Sequence, residues 1–217
     1  MLSNAADEIT SPPRVKLCGI RTYEDAVVAL DAGAWALGFI FHRPSRRFIE
    51  PYDAAAIVAR LPRTARTIGV FVDEPLGDLQ ATLREVGLSG AQLHGDESPE
   101  YAGRVEAELV LKAFRVGGDF RPELVDAFPG CTILLDAFDP LRPGGTGRTF
   151  DWNVARAVGE RAPCVLAGGL TPDNVGEAIR AARPSGVDVS GGVESAYGVK
   201  DHDAIRRFLR AVSEARR

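Results

Sequence analysis

Cysteine is scarce: Cys18, Cys131 and Cys164 are all that a chain of 217 residues contains. An odd, widely spaced set gives neither a disulfide framework nor zinc-ligand spacing, and a reducing cytoplasm is its natural setting. No apolar run reaches the ~18 residues of a membrane span. The stretch Met1 to Pro13 lacks the basic start and apolar core of a secretory signal, and it reads as a disordered extension over residues 1–13. Positive charge is not in excess. The formal net charge is −4, which argues against a nucleic-acid partner. The GxxxxGK[ST] phosphate-loop spacing is missing, as is any obvious internal repeat.

What is present is alternation. Apolar runs begin near Val15, Ala34, Thr67, Ala91, Leu109, Thr132, Cys164 and Val187. Each is followed by an amphipathic or capped segment, namely Thr22 to Ala32, Pro51 to Arg60, Leu76 to Val86, a helix from Ser98 with Pro99 at its first position, Pro122 to Ala127, a helix from about Asp151, Thr171 to Ala182, and Asp201 to Ala215. Eight strand–helix units in strict order imply a parallel sheet with right-handed crossovers. The fold class is therefore α/β, a single (β/α)8 TIM barrel over residues 14–217. An open doubly wound sheet is the alternative, but it would place its glycine fingerprint after the first strand, where this chain has Cys18-Gly19-Ile20-Arg21.

The last two strands both end in paired glycines: Ala167-Gly168-Gly169-Leu170-Thr171-Pro172, and Val189-Ser190-Gly191-Gly192-Val193. Adjacent glycines let the backbone come close to a ligand and aim N–H groups at it. Loops after the seventh and eighth strands are where such barrels hold phosphate. Thr171 as N-cap with Pro172 at the first helical position would start the seventh helix at once. The plain alternative is a pair of tight turns.

Chemistry in these barrels sits at the C-terminal strand ends. The polar residues there are Cys18, His94, Asp136 and Ser190, with Lys16, Gln92 and Asp188 two positions back and so on the same inward face. Cys18 is a candidate nucleophile or base, or else a small buried residue. Asp136 closes Ile133-Leu134-Leu135 and is a candidate acid, or else a loop acceptor. His94 is a site-lining residue; with no second His or acidic cluster beside it, no metal site is read. The loop His42 to Phe48 carries three arginines, any of which can hold a carboxylate or phosphate at two points. Pro143 to Trp152 has three glycines in four residues and reads as a substrate-hugging loop or a linker. If the barrel closes, Lys16 on the first strand and Asp188 on the eighth face one another and should pair, with the Lys16 charge favouring a Cys18 thiolate; Asp188 contacting a substrate is the other possibility.

Taken together, Lys16-Leu17-Cys18-Gly19-Ile20, Gly38-Phe39-Ile40-Phe41 with Ser45-Arg46-Arg47-Phe48, Gly69-Val70-Phe71-Val72, Gln92-Leu93-His94-Gly95, Leu134-Leu135-Asp136, Gly144 to Trp152, Ala167-Gly168-Gly169-Leu170 and Val187 to Glu194 resemble the phosphoribosylanthranilate isomerases of tryptophan biosynthesis. Each motif is weak alone; their order and spacing across nearly the whole chain are specific. Arg21 stands where the family often has Thr, and Phe41-His42-Arg43-Pro44 departs from common versions. The resemblance implies an Amadori rearrangement of N-(5-phosphoribosyl)anthranilate to 1-(2-carboxyphenylamino)-1-deoxyribulose 5-phosphate. By the same resemblance Cys18 would be the general base, Asp136 the general acid and Arg47 the carboxylate anchor. His94 and Asp188 would line the substrate site, and Gly168, Gly169, Ser190, Gly191 and Gly192 would hold the phosphate. One acid, one base and two anion anchors suffice for that reaction, so no cofactor or metal is expected; the partner is a small phosphosugar, and the chain a monomer or homodimer. Another sugar-phosphate isomerase or epimerase, and a non-catalytic phosphosugar-binding barrel, are the competing readings.

Overall fold

A computed structural model describes residues 13–117, 119–137 and 152–215. Most of the expected N-terminal extension and the loop Pro143 to Asp151 lie outside these residues; Pro13 is described and buried. The strands are β1 (Arg14–Cys18), β2 (Ala36–Ile40), β3 (Arg66–Phe71), β4 (Gly90–Leu93), β5 (Leu109–Val116), β6 (Thr132–Ala137), β7 (Cys164–Leu166) and β8 (Gly186–Val189). They close in sequence order into one barrel, with β8 back on β1. Between them lie α1 (Tyr23–Asp31), α2 (Pro51–Val58), α3 (Leu76–Val86), α4 (Pro99–Ala102), a 3₁₀ helix (Pro122–Ala127), α5 (Trp152–Gly159) and α6 (Val175–Ala182). After β8 come a 3₁₀ turn (Gly191–Val193), a hairpin of β9 (Glu194–Ala196) and β10 (Val199–Lys200), and α7 (His202–Glu214).

The period-two pattern of the strands sorts their side chains into two layers. Val15, Leu17, Leu37, Phe39, Phe71, Leu93, Ile133, Leu135, Leu166, Val187 and Val189 join the large cluster under the helices. Ala36, Ile68, Leu111, Ala113, Leu134, Val165 and Ala167 form a second, smaller cluster, which is the barrel interior because these positions alternate with the first set. That interior is closed by apolar groups, so Lys16, Cys18, Gln92, Asp136 and Asp188, which share its parity, are its polar end. Helix α7 shows the matching helical pattern: Ala204, Ile205, Phe208, Leu209 and Val212 are its buried stripe. Its start is capped by Asp201, which accepts from the N–H groups of Asp203 and Ala204. His202 Nε2 lies 2.9 Å from Asp25 Oδ1, tying α7 to α1 across the seam where β8 meets β1.

Two expected elements differ. Pro122 to Ala127 is a 3₁₀ helix rather than an α-helix. The seventh helix begins at Val175, not at Thr171. Asn174 takes over the loop instead: its Oδ1 accepts from the Thr171 N–H at 2.8 Å and its Nδ2 donates to the Gly169 carbonyl at 2.9 Å. This side-chain turn uses the Thr171 N–H and keeps Thr171 and Pro172 outside the helix.

Candidate active site

Closing the barrel puts Lys16 directly opposite Asp188 in the β1–β8 register, and the expected ion pair is there, Nζ to Oδ1 at 3.0 Å. Both side chains are buried. Beside them, Cys18 is 5% exposed. Space for the thiol and the ammonium comes from Gly38 on β2, where a Cβ would stand 2.9 Å from Cys18 Sγ and 3.1 Å from Lys16 Nζ. Burial pushes the Cys18 thiol above the ordinary cysteine value and Asp188 adds to that, while the charges of Lys16 and Lys200 pull it down without prevailing. The expected Lys16 influence is therefore present in sign, but the resting thiol is harder to ionise than a free one.

Across the mouth, Asp136 at the end of β6 meets His94 beyond β4, Oδ2 to Nε2 at 3.3 Å. Gln92 Nε2 lies 2.8 Å from His94 Nδ1. With the amide nitrogen donating, Nδ1 is the acceptor and the Nε2–H is left for Asp136, an assignment that rests on the amide orientation. Gln92 Oε1 has no partner among the described residues. The His94 loop is held from below: Glu97 accepts from the N–H groups of Asp73 and Gly95, and buried Lys112 pairs with Glu97 at 2.7 Å.

The glycine loops after β7 and β8 come together as a unit. Gly168 and Gly169 have φ of 83° and 64°, a left-handed pair that only glycine adopts at little cost. A Cβ on Gly192 would overlap the Leu170 carbonyl oxygen, so the two loops touch because this residue is glycine. Among the described residues, no backbone or side-chain acceptor takes the Gly168 or Gly169 N–H. Gly192→Ala must push the loops apart; a 1 Å misplacement of a binding group can cost ~10²-fold, so kcat/KM on a phosphorylated substrate should fall by about that factor. An unchanged kcat/KM in the folded variant would show that the loops need no such contact.

Arg47, which the resemblance makes the carboxylate anchor, is held by the protein on one edge. It is 7% exposed and locked side-on to Glu194, Nε to Oε1 at 2.7 Å and Nη2 to Oε2 at 2.8 Å. Its Nη1 donates to Tyr197 Oη at 3.2 Å, and its guanidinium lies 4.2 Å from the Tyr197 ring centroid. Arg43 instead pairs with exposed Glu50, and Arg46 stacks near Tyr197. Glu194, Tyr197 and Lys200 had drawn no role from the sequence. The signal was the Tyr197-Gly198 turn between two short β segments, a hairpin that brings them over the strand ends; Gly198 has φ 80°.

The N-(5'-phosphoribosyl)anthranilate (PRA) isomerase family profile matches residues 15–211. The chain belongs to this family. The N-(5'-phosphoribosyl)anthranilate isomerase of Geobacter metallireducens is 48% identical over 197 residues, 91% of this chain and 97% of that one. The crystal structure of phosphoribosyl anthranilate isomerase from Thermotoga maritima matches at TM-score 0.87 and 40% identity, covering 92% of this chain and 98% of its own. A further structure of a phosphoribosyl anthranilate isomerase, in complex with reduced 1-(o-carboxyphenylamino)-1-deoxyribulose 5-phosphate, matches at TM-score 0.82 and 39% identity over 92% of this chain and 98% of that one. No helix among the described residues of this PRA isomerase family member is long and apolar enough to cross a membrane.

Proposed function

We propose that the barrel opens the aminofuranose ring of N-(5-phosphoribosyl)anthranilate and converts it to 1-(2-carboxyphenylamino)-1-deoxyribulose 5-phosphate, a cytoplasmic step of tryptophan biosynthesis. The observation that carries the reading is the division of the mouth: one carboxyl, Asp136, held by a histidine on one side, and one thiol, Cys18, among lysines on the other. Ring opening needs a proton on the ring oxygen, and Asp136 supplies it. The His94 contact engages Oδ2, which leaves Oδ1 to carry that proton. The iminium so formed acidifies C2′, and the Cys18 thiolate removes its proton. The enol O–H then gives its proton to the Asp136 carboxylate while the Cys18 thiol protonates C1, so the ketone forms and both groups recover their starting state. Phosphate rests on the glycine loops at Gly168-Gly169 and Ser190-Gly191-Gly192, and Asp188 lines the pocket beside Lys16.

Because burial holds the Cys18 thiol above its ordinary value, the thiolate fraction grows as pH rises, and the base form is scarce below the usual cysteine value of about 8.5. The alkylation rate of Cys18 should therefore still be climbing above that pH; a rate already level by pH 7 would show a thiol that ionises more readily than its burial implies. The function itself is tested by complementation. The wild-type chain should let a tryptophan auxotroph lacking this isomerase grow without tryptophan. Failure to do so despite soluble expression would favour a phosphosugar-binding barrel without catalysis.

A further inference from the structure

Glu194 sits where no reaction step needs it, yet both oxygens of its carboxylate are engaged twice. It lies in the hairpin after β8 with a side chain 4% exposed. Four donors converge on it: Arg47 Nε at 2.7 Å, Arg47 Nη2 at 2.8 Å, Lys200 Nζ at 3.0 Å and the Gly198 N–H at 3.1 Å. A carboxylate offers about four lone-pair sites, so Glu194 is saturated. Lys200 in turn donates to the Ser190 carbonyl at 3.0 Å and approaches its hydroxyl at 3.4 Å. Glu194 thus joins the arginine loop after β2 to the glycine loop after β8.

The consequence lies in what remains of Arg47. A guanidinium has five N–H groups. Among the described residues Glu194 takes two and Tyr197 one, leaving one on each terminal nitrogen. The charges point the same way. Arg47 and Lys200 carry two positive charges against one negative on Glu194, so this buried group has one positive charge in surplus, and a buried unpaired charge is costly until an anion arrives.

We propose that Glu194 is a positioning residue that sets substrate specificity: by fixing one edge of the Arg47 guanidinium it presents the other two N–H groups as a preset fork for the substrate's aryl carboxylate. This rests on the reading that Arg47 is the carboxylate anchor. The competing effect is repulsion, because a Glu194 that served only as a counter-charge would oppose an incoming carboxylate, and its removal would help binding.

The experiment compares kcat/KM for N-(5-phosphoribosyl)anthranilate with that for N-(5-phosphoribosyl)aniline, which lacks the carboxylate. Where turnover of the aniline compound is too slow to measure, inhibition constants of the reduced product analogue with and without the carboxylate give the same ratio. The variants are Arg47→Ala, Glu194→Gln, Glu194→Gln/Lys200→Met and Arg47→Ala/Glu194→Gln. The pair Glu194→Gln/Lys200→Met keeps the surplus at one positive charge while it loosens the guanidinium and releases the Lys200 bonds to Ser190; it also avoids burying two unpaired cations, so it is the variant to read where Glu194→Gln alone does not fold. Changes in the Ser190 loop reach both compounds and cancel in the ratio. The preference for the carboxylated compound should fall about tenfold or more in Arg47→Ala and in Glu194→Gln/Lys200→Met, and Glu194→Gln should cause no further fall once Arg47 is Ala. A preference unchanged or increased in Glu194→Gln/Lys200→Met overturns the positioning role while leaving the anchor in place. So does a fall on Glu194→Gln that is just as large in the Arg47→Ala background. A preference untouched by Arg47→Ala removes the anchor, and the proposal with it.

Discussion

Cys18→Ser and Asp136→Asn should each lower kcat by about 10²–10⁴-fold, the usual worth of one general acid or base, with the fold intact. Both replacements preserve shape. Serine fills nearly the space left by Gly38 for the thiol, but its hydroxyl is a far weaker acid than a thiol and gives no useful anion near neutral pH. Asparagine keeps an oxygen for the His94 Nε2–H, which lies 3.3 Å from Asp136 Oδ2, yet has no acidic proton for the ring oxygen. Steady-state turnover beside a circular dichroism spectrum reads the effect. A folded variant retaining near wild-type kcat takes its residue out of the chemistry.

Lys16→Met should produce the largest loss of stability. The ion pair with Asp188 is 3.0 Å long, with side chains 2% and 9% exposed. Removing one partner of a buried pair strands the other, which costs ~3–5 kcal/mol, whereas replacing both with apolar groups of similar volume is often neutral. Denaturant melts should accordingly show a drop of that size for Lys16→Met and recovery of most of it in Lys16→Met/Asp188→Leu. A single variant within ~1 kcal/mol of wild type, well short of that cost, would mean that water or another group already solvates Asp188. In a folded Lys16→Met preparation the pH midpoint of Cys18 alkylation should rise, because the Lys16 charge now opposes the effect of burial.

Much of this was legible because strand and helix periods differ. Alternation alone put Cys18 with Lys16 and Ser190 with Asp188, and barrel closure then made Lys16 and Asp188 neighbours in space. Short-range side-chain turns were harder to read. Thr171-Pro172 has the look of a helix start, but Asn174 satisfies that loop with its own amide. Least legible were bonds between residues far apart in the chain. Arg47 and Glu194 are 147 positions apart, and only the hairpin carrying Glu194 and Lys200 back over the mouth brings them together. The direction of the Cys18 shift followed the same rule: the sequence shows the lysine, while the burial that outweighs it belongs to the closed barrel.

The most direct measurement is a single turnover of N-(5-phosphoribosyl)anthranilate by excess enzyme, with the isomeric product separated by chromatography, for the wild-type chain and for Cys18→Ser/Asp136→Asn. The wild-type chain should form 1-(2-carboxyphenylamino)-1-deoxyribulose 5-phosphate, and the folded double variant should convert the substrate more slowly by at least the ~10²-fold expected of a single lost catalyst. Conversion by the double variant at the wild-type rate, or none by the wild-type chain, would contradict the account.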